Sequence, residues 1–191
     1  MAHIHDQIDF TVAIFVVHRR QVLLVHHRNL GRWLPLGGHI ELDEDPEDAA
    51  LREAKEESGL DVELLGERPP TTGAGTRALI APRFLDIHRI SDTHEHIGMI
   101  YWARPRGGDE VRLSATEHHA IRWCGAEDLD QLDPPVTEAV RWYCLRAIAE
   151  VGASSSSTDG SCINARARAS FCFIPFEYSP QRRRAASAIP K

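Results

Sequence analysis

The stretch from Asp45 to Gly59 constrains this chain more than any other. Aspartate ahead of proline supplies an N-cap and a first helical residue with no N–H to leave unpaired, and a glycine at the far end supplies the stop. A helix over Pro46 to Ser58 is therefore predicted. At about 100° per residue, Glu53, Glu56 and Glu57 stand at i, i+3 and i+4 and share one face. Like charges at that spacing repel, so a helix serving only as a solvated surface would avoid them. A cation relieves the repulsion, and hard oxygen ligands around a partly open site suit Mg²⁺ or Mn²⁺. Arg52 projects close to Glu56 and to the loop carrying Glu44, where a fixed guanidinium can hold a carboxylate. Ala50, Leu51 and Ala54 cover a different arc and are expected to face a core, giving the helix a dry side and a metal side.

Around this helix the pattern is that of a mixed sheet. Ile8 to Val17 and Gln21 to Val25 are apolar, β-branched runs separated by polar residues, and read as a hairpin. Gly31 to Gly38, with Trp33, Pro35 and paired glycines, reads as a loop. Asp61 to Leu65, Ala81 to Ile90, Ile97 to Ala103 and Ala120 to Cys124 read as further strands. Pro135 to Val151 places Val136, Ala139, Val140, Tyr143, Cys144, Ala147 and Ile148 at the spacing of a closing amphipathic helix. The fold class is α+β, a mixed sheet flanked by helices.

Composition narrows the function. Residues 1–151 carry 16 Lys+Arg against 26 Asp+Glu, a net charge of −10, while the last 40 residues carry 6 against 2, or +4. So acidic a body is a poor surface for a nucleic acid polymer, and a chain that handles phosphates through it must recruit cations. No apolar run approaches the length of a membrane helix, and the first residues lack the basic start and apolar stretch of a signal peptide, so a cytoplasmic protein is expected. Cys124, Cys144, Cys162 and Cys172 form no C-x-x-C pair, which argues against a disulfide framework and a zinc knuckle. Composition shifts at Gly152, where a serine run leads toward Arg182-Arg183-Arg184. The domain is accordingly placed at residues 1–151, and residues 152–191 are read as a linker and a disordered basic tail, with Phe171 to Tyr178 an apolar island in it.

The sequence Gly38-x5-Glu44-x7-Arg52-Glu53-x-x-Glu56-Glu57-x-Gly59 resembles the Nudix box. All seven specified Gly, Glu and Arg positions match, a coincidence expected about once in 10⁸ windows at ordinary residue usage. Similarity extends back to Trp33-Leu-Pro-Leu-Gly-Gly38, although Leu36 stands where many members run directly from proline to the glycine pair. The resemblance implies a Nudix α/β/α sandwich and hydrolysis of a nucleoside diphosphate linked to another moiety: a nucleoside triphosphate, a dinucleotide or a nucleotide sugar. It also implies that Glu53, Glu56 and Glu57 bind metal with the carbonyl of Gly38, and that Arg52 and Glu44 orient them. Either Glu53 or Glu117 is the general base it implies, position favouring Glu53. The alternative reading is a Nudix-fold nucleotide-binding module without turnover. The implied partner is a small nucleotide, with no nucleic acid polymer and no membrane; the oligomeric state stays open, a homodimer among the options.

Weaker signals lie outside the motif. Arg28 and Arg32 precede the glycine loop where a phosphate could reach them, and are candidate substrate contacts. His88, His94 and His96 fall on a strand pair, with His94 and His96 projecting from one face. Zinc would require a third ligand at tetrahedral reach, and substrate contact or a polar sheet face is the reading preferred. Gly73 to Ala78 matches a loose dinucleotide fingerprint, but no strand precedes it and no helix follows, so it is set aside.

Overall fold

The computed structural model describes residues 6–70 and 73–154. Residues 155–191 of the expected tail, with the Phe171 to Tyr178 island, Cys162 and Cys172, lie outside the described residues. Strands β1 (Ile8–His18) and β2 (Gln21–His27) form the hairpin, closed by Arg19 and Arg20 at φ 47° and 63°. Two arginines thus occupy left-handed positions where Asn-Gly is favoured, because a two-residue connection must follow the twist of its strands.

The expected loop at Gly31 to Gly38 is instead two short strands, β3 (Arg32–Leu34) and β4 (Leu36–His39). Pairing overrides composition here: β3 runs against β2, while β4 lies antiparallel along β1 from Thr11↔His39 to Ile14↔Leu36. Gly37, at φ 150°, is so close to β1 that a Cβ would strike the carbonyl of Val12. Helix α1 (Pro46–Ser58) follows, then β5 (Val62–Leu65), β6 (Phe84–Ser91), β7 (His94–Pro105) and β8 (His118–Cys124). A 3₁₀ turn, Leu129–Gln131, leads to helix α2 (Glu138–Ser154). That helix starts three residues after Pro135 and continues past Val151, so the compositional break at Gly152 falls within its last turn.

The central pair, β1 and β7, is parallel over nine residues, from Ile8↔Glu95 to Val16↔Ala103, and antiparallel partners extend the sheet on both sides. Period-two alternation splits β1 between two cores. Val12, Ile14 and Val16 join Leu36, Ala50, Ala54 and Tyr101 beneath α1. Phe15 and Val17 join Ile100, Trp102, Cys144 and Ile148 beneath α2. The result is the expected α/β/α sandwich with a mixed sheet. Cys124 and Cys144 are buried free thiols, and no helix among the described residues is long and apolar enough to cross a membrane.

Glu150 fastens α2 to the sheet: it accepts from Trp102 Nε1 at 2.9 Å, from Arg83 at 2.8 Å and from Arg146 at 2.5 Å. Burial pushes its carboxyl up, but these hydrogen bonds outweigh it and bring it down to about 2. A carboxylate depressed in the folded state stabilises the fold above its unfolded value and loses that contribution as pH falls. Glu150→Ala should therefore lower unfolding stability by about 1.5–3 kcal/mol at neutral pH. The deficit should shrink between about pH 4.5 and pH 2, as urea melts of wild type and variant would show.

Candidate active site

Helix α1 begins and ends as its sequence requires. The Asp45 carboxylate accepts from the N–H groups of Glu47 at 2.8 Å and Asp48 at 3.1 Å, and Gly59, at φ 75°, donates to the carbonyl of Lys55. The division of its faces differs from expectation. Ala49, Ala50 and Ala54 are fully buried, but Glu53 and Glu57 are nearly so at 9% and 3% exposure, whereas Leu51 is 38% exposed. In helical projection the buried arc is centred near Glu57 and Ala50, with Leu51 just beyond its edge. The dry side and the acidic side therefore overlap. Room for the acids comes from β4: a Cβ on Gly38 would collide with the Glu53 carboxylate. Any other residue there would displace that carboxylate.

Arg52 gathers the charges. Its Nε and Nη2 donate to the two oxygens of Glu44 at 2.9 and 2.7 Å, a two-pronged pair, and Nη1 donates to Glu53 at 2.8 Å and Glu56 at 3.0 Å. Nη2 also donates to the carbonyl of His39 at 3.1 Å. One guanidinium thus ties the loop, the helix and the end of β4 together. The Arg52 hydrogen bond is the main cause holding the Glu44 carboxyl below the usual carboxylate range. At Glu53, burial outweighs Arg52, and with the neighbouring charges of Glu57 and Glu56 pushes its carboxyl up to about 7.

Glu57 turns toward other partners. Its Oε2 accepts from the Gly37 N–H at 2.8 Å, and its Oε1 accepts from His118 Nε2 at 2.7 Å. Burial pushes its carboxyl upward, against the hydrogen bond and charge of His118. His118 is 1% exposed and has no signal of its own in the sequence; its place follows from β8 pairing with β2 beside β3 and β4. With Glu117 the two make a group whose ligand atoms lie within 4.8 Å of one another. Glu117, remote in sequence from the helix, is thereby brought to Glu57.

Arg28 is tied to the loop that carries Glu117. Its Nη2 donates to the carbonyls of Ala115 at 2.9 Å and His118 at 3.4 Å, and its N–H donates to the carbonyl of Glu117 at 2.9 Å. It is the clamp that sets the loop bearing Glu117. Arg32 lies exposed on β3, at the same end of β2. The site thus offers the carboxylate oxygens of α1 and, through Glu57, a second set in which Glu117 is joined by the imidazole of His118; the oxygens are a donor environment suited to divalent cations.

The chain is similar to known proteins over most of its described residues. A family model for the NUDIX domain matches residues 8–146. A bis(5'-nucleosyl)-tetraphosphatase (asymmetrical) from Sus scrofa is 33% identical over 113 residues, which cover 58% of this chain and 67% of that protein. The crystal structure of a NUDIX-family hydrolase from Clostridium perfringens is 33% identical with a TM-score of 0.66, covering 75% of this chain and 97% of that one. A C. elegans Ap4A hydrolase, 19% identical with a TM-score of 0.53, shares the fold, covering 78% of this chain and 98% of its own.

The Glu53 carboxyl generates a prediction whose sign is fixed. A carboxyl raised in the folded state takes up a proton there that the unfolded chain has released, so its contribution to stability falls as pH rises between about 4.5 and 7. In chelator-treated protein, Glu53→Gln should gain stability relative to wild type across that interval. Paired thermal melts at pH 5 and pH 7.5 should show the gap widening at the higher pH; a constant gap would contradict the shift.

Proposed function

The chain belongs to the NUDIX family, and from that premise we propose that α1 and the end of β4 form its catalytic centre, with Glu53, Glu56 and Glu57 and the Gly38 carbonyl holding Mg²⁺ or Mn²⁺. As a Nudix hydrolase it cleaves a phosphoanhydride in small nucleotide derivatives. The observation that carries the site assignment is the packing of the Glu53 carboxylate against Gly38, which sets a carboxylate beside the backbone of the glycine loop. The donor set fits a hard cation: Glu57 and Glu53 are buried carboxylates with raised affinity for protons, which a divalent ion would displace. A divalent ion bound there supplies neutralisation of the diphosphate charge and acidification of a water.

The remaining roles belong to the chain's own groups. Arg52, fixed by Glu44, sets the directions in which Glu53 and Glu56 present their oxygens. Glu53 is assigned as general base by position, since its carboxylate stands at the start of the acidic turn beside Gly38, where an attacking water would be in reach. Glu117 is the second candidate for that step, held within reach of Glu57 by the Arg28 clamp. Arg32 is assigned to the substrate phosphates. Within the class of nucleoside diphosphates linked to a second moiety, the named activity of the pig relative puts dinucleoside polyphosphates first.

A screen of dinucleoside polyphosphates, nucleoside triphosphates and nucleotide sugars with Mg²⁺, reading nucleoside monophosphate and phosphate release, tests the reading. Chelator should abolish turnover, and Glu56→Gln should lower kcat by about 10–100-fold while the fold is retained. Removing the true base should cost about 10²–10⁴ in rate and erase the acidic limb of the pH profile. A metal ligand should instead raise the metal concentration needed for half-maximal rate. Undiminished turnover in Glu56→Gln would overturn the metal assignment, and a Glu53→Ala enzyme restored to full rate by excess Mg²⁺ would move the base to Glu117.

A further inference from the structure

Strand register builds a second polar cluster on the face of the sheet opposite α1. In the parallel pair, Asp9 stands beside His96, and in the antiparallel pair His88 stands beside His96 from the other side. His39 pairs with Thr11, two residues from Asp9 and on the same face. His94 shares the face of His96. The same alternation leads from Asp9 to Phe15 and from His96 to Ile100 and Trp102, which pack under α2. The cluster is therefore the polar end of the α2 face, with the sheet between it and the acids of α1.

Its geometry is convergent. His94 Nε2 lies 3.1 Å and His39 Nε2 3.3 Å from one oxygen, Asp9 Oδ2. Ligand atoms of Asp9, His94 and His96 lie within 4.8 Å of one another, and the three residues are 0%, 6% and 8% exposed. The His96 ring centroid is 4.8 Å from that of His39 and 5.1 Å from that of His94. His94 Nδ1 faces the carbonyl of Asp6 at 3.4 Å, a contact that only Nδ1–H can make, because a carbonyl only accepts. With Nδ1 turned to that carbonyl, His94 presents Nε2 to the Asp9 carboxylate oxygen that His39 Nε2 also faces.

We propose that Asp9, His94 and His96 form a second metal site, distinct from the acidic helix, that takes a divalent d-block cation of the zinc class, with His39 set against the same carboxylate of Asp9. Imidazole nitrogens with one carboxylate are the donor set for zinc-class ions, in contrast to the all-oxygen set around α1. Ligand bonds of about 2.0–2.1 Å in a tetrahedron place donor atoms about 3.4 Å apart, close to the 3.1 Å that separates Asp9 Oδ2 from His94 Nε2. The Asp6 carbonyl supplies the outer hydrogen bond that orients a ligating histidine. Such an ion would cross-link the start of β1 to the start of β7.

The test uses the full chain, stripped of metal and titrated with Co²⁺, whose tetrahedral complexes absorb visible light far more strongly than octahedral ones. Wild type and Glu56→Gln should each develop the tetrahedral spectrum at about one equivalent, and Zn²⁺ should bleach it. Asp9→Asn and His94→Gln, shown folded by circular dichroism, should bind Co²⁺ in that mode at least about tenfold more weakly. Should those variants fail to fold, histidine ¹⁵N resonances of the wild type decide the matter, since one equivalent of Zn²⁺ should shift the Nε2 signals of two or more buried rings. A wild type with no tetrahedral spectrum and unmoved histidine resonances, or variants that bind unchanged, would overturn the proposal and leave an Asp–His hydrogen-bonded cluster. Because Glu56→Gln disables the proposed catalytic centre without touching this face, failure here is separable from failure of that assignment.

Discussion

The five hydrogen bonds of Arg52 are the interaction on which the site depends. Glu44, Glu53 and Glu56 come from a loop and from two turns of one helix, and without a shared cation their charges would drive them apart. A lysine could not substitute, because only a planar guanidinium presents donors to three carboxylates and a carbonyl in fixed directions. The bond to the His39 carbonyl matters as much as the ion pairs, since it sets the distance between α1 and the glycines of β4. An acidic helix is thereby docked on a sheet at a place where acids would ordinarily face solvent.

Docking of that kind requires emptiness on the other side. Gly38 leaves the space that the Glu53 carboxylate fills, and Gly37 lets β4 lie flush against Val12 while its N–H serves Glu57. The result is a pair of buried carboxylates in a low-dielectric setting, where burial dominates and pushes both carboxyls upward. Burying them costs stability, and apolar residues on both faces of the sheet offset the loss.

What was legible in the sequence was local or periodic. The helix from Pro46 to Ser58 follows from its caps, the β1–β2 hairpin from two apolar runs, and the motif residues from their spacing. Leu51 was misplaced because a helix of many alanines gives a weak apolar stripe, and the buried arc was set instead by where glycines left room for Glu53 and Glu57. Strands β3 and β4 were hidden because Pro35 and the paired glycines break up the short strand signal of Trp33, Leu34 and Leu36, and pairing with β1 and β2 decides the matter. His118 and the structural part played by Arg28 were hidden for a related reason: each acts on a residue about 60 to 90 positions away.

Register is also what distinguishes the two faces of the sheet. His96 in isolation is one of eleven histidines, and Asp9 one acid among twenty-eight acidic residues. A parallel pairing over nine residues sets them side by side, whereas a slip of one position would send His96 to the α1 face and break the cluster. His39 then connects the two halves of the molecule, with its backbone carbonyl on Arg52 and its ring against Asp9. Because consecutive strand residues point to opposite faces, Gly38 can accommodate an acid on one side while His39 serves the other. Two polar sites of different donor chemistry can therefore share one short strand without sharing a ligand.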